Sequence, residues 1–235
     1  VTLLIPVLVI GVIALVGMAI VRSARAERKR RSEIALTLGF TPVEPTPDFN
    51  AMVNALYGKL RVGRQPGDGA QYHLSNVFGR HSADAEMFLF DLKDKSGDDA
   101  SRTERQAVLI VSPHLDMPAF VIFPRADVDG VLSKLGNRLL EWVISRWGDP
   151  VEFPDAPDFE RRYIVTAPEP DAARRFLDED RLGRLAETRL LNIHAWGNMF
   201  TLARIDFAAK ADTVETASER VDLARSLFEA FQSGR

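Results

Sequence analysis

The run Leu190-Leu191-Asn192-Ile193-His194-Ala195-Trp196, the pair Gly197-Asn198 and the run Met199-Phe200-Thr201-Leu202-Ala203-Arg204-Ile205-Asp206 decide the fold class of this 235-residue chain. Side-chain character alternates along both runs, as it does along a strand whose successive residues face opposite sides. The two residues between them, glycine first, suit a tight hairpin turn. An antiparallel pair is therefore expected here, and the rest of the chain has to supply its neighbours.

Working outward, Tyr72–Phe78, Glu86–Leu92, Gln106–Val111, Ala119–Phe123 and Arg162–Ala167 are short, rich in β-branched or aromatic residues, and separated by turn chemistry. The polar segment Lys93–Arg105 suits a long exposed hairpin connection, and Gly63–Gly69 and Gly148–Pro157 read as loops. Helical spacing runs over Asp48–Leu60, with Asp48 as the cap and Phe49, Met52, Val53, Leu56 and Tyr57 on one face. Further helices are expected at Asp127–Leu135, Arg138–Arg146, Pro170–Leu177 and Arg181–Glu187. At the end, Asp212-x-x-Glu215 makes a capping pattern before an amphipathic face of Val214, Ala217, Val221, Ala224, Leu227, Phe228 and Phe231. The fold class is α+β: a mixed, mainly antiparallel sheet over residues 48–235, closed by a C-terminal amphipathic helix. Roughly seven strands with a long terminal helix resemble, by element count, a pleckstrin-homology-like barrel.

Toward the N-terminus the character changes. Thr41-Pro42-Val43-Glu44-Pro45-Thr46-Pro47 reads as a stiff, extended linker, and Gly39 suits the left-handed cap of the helix before it, so residues 32–47 are a helix end and linker. From Thr2 to Val21 there is no charged side chain, and Arg22, Arg25, Arg28, Lys29, Arg30 and Arg31 follow with only Glu27 against them. About twenty apolar residues at ~1.5 Å rise span the roughly 30 Å hydrocarbon core of a bilayer. A cleaved signal would carry its bases before the apolar run and not after it. Residues 1–31 are thus expected to form a single transmembrane helix and its basic edge. The six bases set the topology, N-terminus out and domain in the cytoplasm, and meet anionic headgroups. Gly11, Ala14 and Gly17 make a stripe of small residues, a candidate helix-packing face.

Charge separates these parts. Residues 1–31 hold six of the 30 basic and one of the 33 acidic residues, leaving 24 basic and 32 acidic, a net of −8, on the other 204. That polarity argues against nucleic acid as a partner. There is no cysteine, which excludes disulfides and thiolate chemistry.

A series of short motifs adds to this reading: Asn76-Val77-Phe78-Gly79, Phe88-Leu89-Phe90-Asp91, Gln106-Ala107-Val108, Leu115-Asp116-Met117-Pro118-Ala119-Phe120, Phe123-Pro124-Arg125, Gly148-Asp149-Pro150-Val151-Glu152-Phe153 and Phe159-x-x-x-Tyr163. Over about residues 60–180 this series resembles a group of uncharacterised bacterial membrane-anchored proteins, with an N-terminal span, a basic stretch and a soluble α+β domain. Arg125 stands where that pattern usually has an acid. The resemblance implies the architecture and no reaction; together with the span and its basic edge, the expected location is the bacterial inner membrane.

Chemistry is sparse. His73, His81, His114 and His194 make no HxxxH or HExxH pair. His114-Leu115-Asp116 reads as a loop between strands, and Ser112 lacks a nucleophile elbow. Asp91, Asp94, Asp98 and Asp99 do not match a calcium loop and read as solvated loop acids. Trp142, Trp147 and Trp196 are most economically core residues, with Trp142 and Trp147, near a proline-rich stretch, as candidate partner contacts instead. No nucleophile–base–orienter set emerges, so no catalytic, metal or cofactor residue is expected. The expected function is that of a non-enzymatic, single-span accessory or scaffolding subunit of a larger membrane complex, a respiratory or photosynthetic assembly being one candidate home, with its domain docked on the cytoplasmic face. The alternative is a membrane-tethered sensor that binds a lipid or a soluble ligand.

Overall fold

A computed structural model of the chain describes residues 18, 22–23, 25–60, 72–94, 103–125, 147–188, 191–204 and 213–232. The hairpin expected from residues 190–206 forms and lies at the centre of the molecule. Its strands are β8 (Leu191–Gly197) and β9 (Met199–Arg204). Trp196 pairs with Met199, and Gly197 takes a φ of +58°. A side chain in that left-handed region is strained, which is why the turn starts on glycine.

The other strands are β1 (Thr41–Pro42), β2 (Tyr72–His81), β3 (Glu86–Asp94), β4 (Thr103–Val111), β5 (Met117–Pro124), β6 (Pro150–Val151) and β7 (Tyr163–Thr166). They join β8 and β9 in one nine-stranded sheet of order β1-β2-β3-β4-β9-β8-β5-β7-β6, every neighbouring pair antiparallel. The order is linear, with β1 and β6 as edges, so the expected pleckstrin-homology-like barrel is not formed. Two strands were missing from the count because each is two residues long and contains proline, which a sheet tolerates at its edge.

Both faces of the sheet are covered. On one lie α1 (residues 25–37), α3 (Pro157–Arg162), α4 (Pro170–Phe176), α5 (Glu179–Glu187) and α6 (Val214–Gln232). On the other lies α2 (Pro47–Lys59), with Val53, Leu56 and Tyr57 buried against the strands. Period-two alternation sorts the centre: Leu191, Ile193 and Ala195 join the first core, while His194 meets Tyr57 of α2.

Helix ends differ from the sequence reading in instructive ways. Gly39 is the left-handed cap of α1, with Phe40 N–H donating to Ala35 and Gly39 N–H to Leu36, a Schellman closure. The cap of α2 is Thr46, whose hydroxyl accepts from Phe49 N–H, and not Asp48; Pro47 occupies the first turn. Before α6 Thr213 and Thr216 cap each other reciprocally through their hydroxyls, while the expected cap residue Asp212 lies outside the described residues. Val214 is 42% exposed, outside the apolar face that buries Ala217, Val221, Ala224, Leu227, Phe228 and Phe231.

One guanidinium ties three helices together. Arg181 of α5, buried, donates from Nη1 to Phe176 O at 2.7 Å and Asp178 Oδ2 at 2.6 Å, and from Nε to Ala230 O at 3.2 Å. It thereby satisfies orphan carbonyls near the ends of α4 and α6. Arg181→Ala is expected to lower unfolding stability by about 2–3 kcal/mol, since buried acceptors lose a charged donor, with urea denaturation as the check.

Tyr163 offers a second test. Its ring stacks on Phe159 at 5.3 Å and its hydroxyl lies 3.0 Å from Thr188 Oγ1. Burial pushes the phenol above its ordinary value, against smaller opposing effects from Thr188, Arg162 and the backbone of Leu191. The unfolded phenol therefore loses its proton first as pH rises. Its contribution to stability is complete below the unfolded pKa and is lost as pH climbs through the higher folded pKa. Tyr163→Phe is expected to remove a tyrosinate absorbance that titrates above the ordinary phenol range and to flatten the alkaline decline in stability.

Candidate functional site

The most unusual chemistry in the described residues lies where α1 meets β2, β3 and β4. The segment Phe88–Leu92 is apolar except for Asp91, and Asp91 is 4% exposed. A buried carboxylate needs partners, and the neighbouring strands are distorted to supply them. Pairing of β2 with β3 shifts register between Ser75 and Phe78, and pairing of β3 with β4 shifts between Phe90 and Leu92. Asn76 and Gln106 take φ values of +50° and +52°, the two left-handed non-glycine residues among those described. Asn76 Nδ2 donates to Asp91 Oδ2 at 2.7 Å, and Gln106 N–H donates to Asp91 Oδ1 at 3.1 Å. Backbone strain of about 1–3 kcal/mol per residue is thus tied at both positions to one carboxylate.

The charge opposite comes from α1. Arg31 Nη1 pairs with Asp91 Oδ2, and Arg31 Nη2 donates to Glu27 Oε1 at 2.8 Å, one turn earlier. On the far side, Arg220 of α6 donates from Nη1 to Gln106 O at 3.0 Å and Oε1 at 3.2 Å. Arg31, Gln106 and Arg220 are all buried. The chain Glu27–Arg31–Asp91–Gln106–Arg220 runs from the helix that follows the apolar N-terminal segment to the C-terminal helix, through the distorted pairing of β3 and β4. Ile34, Ala35 and Phe40 seal the same junction with apolar surface, and Arg80 Nη1 donates to Leu38 O at 3.1 Å while lying over the Phe40 ring. Burial, and then the nearby Arg225, push the Arg80 pKa down from its ordinary value, with Asp222 acting the other way. The expected linker is held too: Thr41 and Pro42 pair with Gly79 and Phe78, and Val43 N–H donates to Val77 O at 3.0 Å. A side chain at Gly79 would meet Val43 Cγ2 at 2.9 Å, so glycine permits that approach.

These positions revise several expectations. Of the six bases assigned to topology and headgroups, Arg22, Arg25, Arg28 and Lys29 are exposed and Arg30 is half-buried. Arg31 is 6% exposed and points into the domain, so it meets Asp91 and no headgroup. Asp91 is not a solvated loop acid. The reason both were misread is the same: the partners are sixty residues apart and meet only once β3 is seated under α1. An acid inside an apolar strand was the available signal. Among the described residues no helix is long and apolar enough to cross a membrane. The expected span Thr2–Val21, with Gly11, Ala14 and Gly17, lies outside them apart from Met18, as do Trp142 and the helices expected over residues 127–146.

Trp147 is 4% exposed, and its ring centroid is 4.8 Å from that of His194, which also packs on Tyr57 at 4.4 Å and Phe123 at 5.8 Å. It is a core residue and not a surface contact. Ser112 is buried and donates to Asp84 O at 2.6 Å while accepting from His114 N–H, so it fastens a turn. His114 is half in solvent, 3.9 Å from an exposed Asp84 carboxylate, and His81 faces Glu86 at 3.4 Å on the surface. Arg125 donates from Nε to Tyr163 O. Among the described residues no group of three or more His, Asp or Glu side chains is placed to hold a metal ion.

The molecule is therefore an α+β domain on one large antiparallel sheet, with the helix that follows its apolar N-terminus locked into the sheet by a buried ion pair. In fold it is similar to the crystal structure of the mycobacterial trehalose monomycolate transport factor A, TtfA, with a TM-score of 0.52 at 14% identity over 89% of this chain and 96% of that one. No protein-family model matches the chain, and no curated protein does either.

Proposed function

We propose that the chain is a non-enzymatic accessory subunit of a larger assembly in the bacterial inner membrane. On this reading Thr2–Val21 crosses the bilayer once, N-terminus out, and the domain docks on the cytoplasmic face of the assembly. The observation that carries the reading is the Arg31–Asp91 lock. A domain that merely needs tethering has no use for burying a charge of its juxtamembrane helix in its own core. A domain that must hold one orientation to a membrane partner does. The likeness in fold to a mycobacterial transport factor supports a transport assembly over the respiratory or photosynthetic one expected from the sequence. It also favours, as a second reading, direct binding of an amphiphilic lipid by the domain.

Gentle detergent extraction of the full chain followed by native mass measurement tests the first reading. Co-migration with other membrane subunits in a defined ratio is expected; a chain that always migrates alone sinks it. Saturable binding of a glycolipid by the anchor-free chain beginning at Arg22 would favour the second.

A further inference from the structure

Helical periodicity divides α1 into two stripes. At about 100° per residue, Glu27, Arg31, Ile34 and Leu38 lie toward the sheet, as their burial agrees. Arg25, Lys29 and Leu36 lie on the opposite side, all three exposed, and Arg22, three residues before Arg25, is exposed as well. Leu36 is 53% exposed, a rarity among the large apolar side chains of the described residues. With half-buried Ser32 between Lys29 and Leu36, the outward positions advance by three and four residues in turn, the spacing of a coiled-coil seam.

We propose that this outward seam packs against an acidic helix of a partner membrane protein that leaves the bilayer alongside α1. The inference rests on the accessory-subunit reading and specifies its contact. Three features select this occupant. First, if the span ends at residue 21, a rise of ~1.5 Å per residue places Lys29 about 12 Å and Leu36 about 22 Å beyond the hydrocarbon. The headgroup layer is only about 5–7 Å deep on each side, so lipid does not cover the upper half of the seam. Second, a second copy of this chain in parallel would set Arg22, Arg25 and Lys29 against themselves, which like charges oppose. Third, the one acid beside the seam, Glu33, meets Lys29 at 3.8 Å with both side chains mostly in water, an ion pair too weak to neutralise the stripe. Three bases and an exposed leucine in one seam call for carboxylates and an apolar residue at matching spacing.

The test uses the full chain in native membranes, with a photoreactive residue replacing Arg25, Lys29 or Leu36 in turn, and Val214 or Asp116 on the domain surface for comparison. The expected result is a protein adduct from the three α1 positions. Its cross-linked peptide should adjoin a membrane span and carry Asp or Glu at three- and four-residue spacing. The double charge reversal Arg22→Glu, Arg25→Glu should reduce the Leu36 adduct about ten-fold while leaving the melting temperature unchanged. Adducts to lipid alone, to a second copy, or to a peptide without acids overturn the proposal, as does an unaffected yield after charge reversal. A co-migrating complex whose adducts come only from Val214 or Asp116 removes the seam but leaves the accessory reading; a chain that migrates alone and yields no adduct removes both.

Discussion

Arg31→Ala is expected to lower the unfolding stability of the full chain by about 3–5 kcal/mol, the usual cost of leaving one partner of a buried ion pair without the other. Asp91 stays under α1 in this variant, held by Asn76 and Gln106 but with no cation beside it. The same substitution at Arg25 or Lys29, which are exposed, is expected to change stability by less than about 0.5 kcal/mol. The contrast separates the interior base from its neighbours in one experiment. A double variant sharpens it. Arg31→Met with Asp91→Asn removes both charges yet leaves an amide oxygen for Gln106 N–H, and should recover more than half of the loss. Equal urea midpoints for Arg31→Ala and Arg25→Ala would show that the lock contributes nothing.

A chain beginning at residue 48, where the sequence places the start of the domain, is expected to lose about 6–12 kcal/mol relative to one beginning at Arg22. Ile34 and Phe40 are each buried, at 4% and 1% exposure. Each is worth about 1.5–3 kcal/mol of apolar burial, and the sheet side chains they cover lose a comparable amount. The strand β1 is lost as well, which leaves β2 as a bare edge beside Gly79. Asp91 is hydrated once α1 is gone, so the loss in this case is apolar and not ionic. Against a total stability of about 5–15 kcal/mol, the shorter chain should be partly or wholly unfolded at room temperature. Near-ultraviolet circular dichroism and urea melts of the two chains decide it; superimposable curves would mean that residues 22–47 pack on the domain without supporting it. The outcome also bears on any search for a ligand, because a binding assay on the shorter chain would sample a damaged sheet.

Much of the interior was legible because it depends on local pattern. The β8–β9 hairpin follows from alternation around Gly197-Asn198, and the face of α6 follows from spacing alone. Caps were less legible: Thr46, two residues before Asp48, already satisfies a free amide of the first turn of α2, and before α6 it is Thr213 that accepts from Thr216 N–H. The site was scarcely legible. Arg31 looks like five other bases beside it, and Asp91 looks like the acids that follow it in the β3–β4 connection.

What the sequence determined by itself is the apolar run, the abrupt basic edge after it, the −8 charge of the remainder and the antiparallel strands at the centre of the sheet. These are properties of neighbours along the chain, and local chemistry is enough to read them. Only the tertiary structure decided that α1 and the proline segment belong to the domain, that Trp147 lies inside it, and that one base of six is withdrawn from the surface. The physical reason is separation: a charge is buried or exposed according to what stands across from it, and Asp91 reaches Arg31 only through the register of β3 beneath α1.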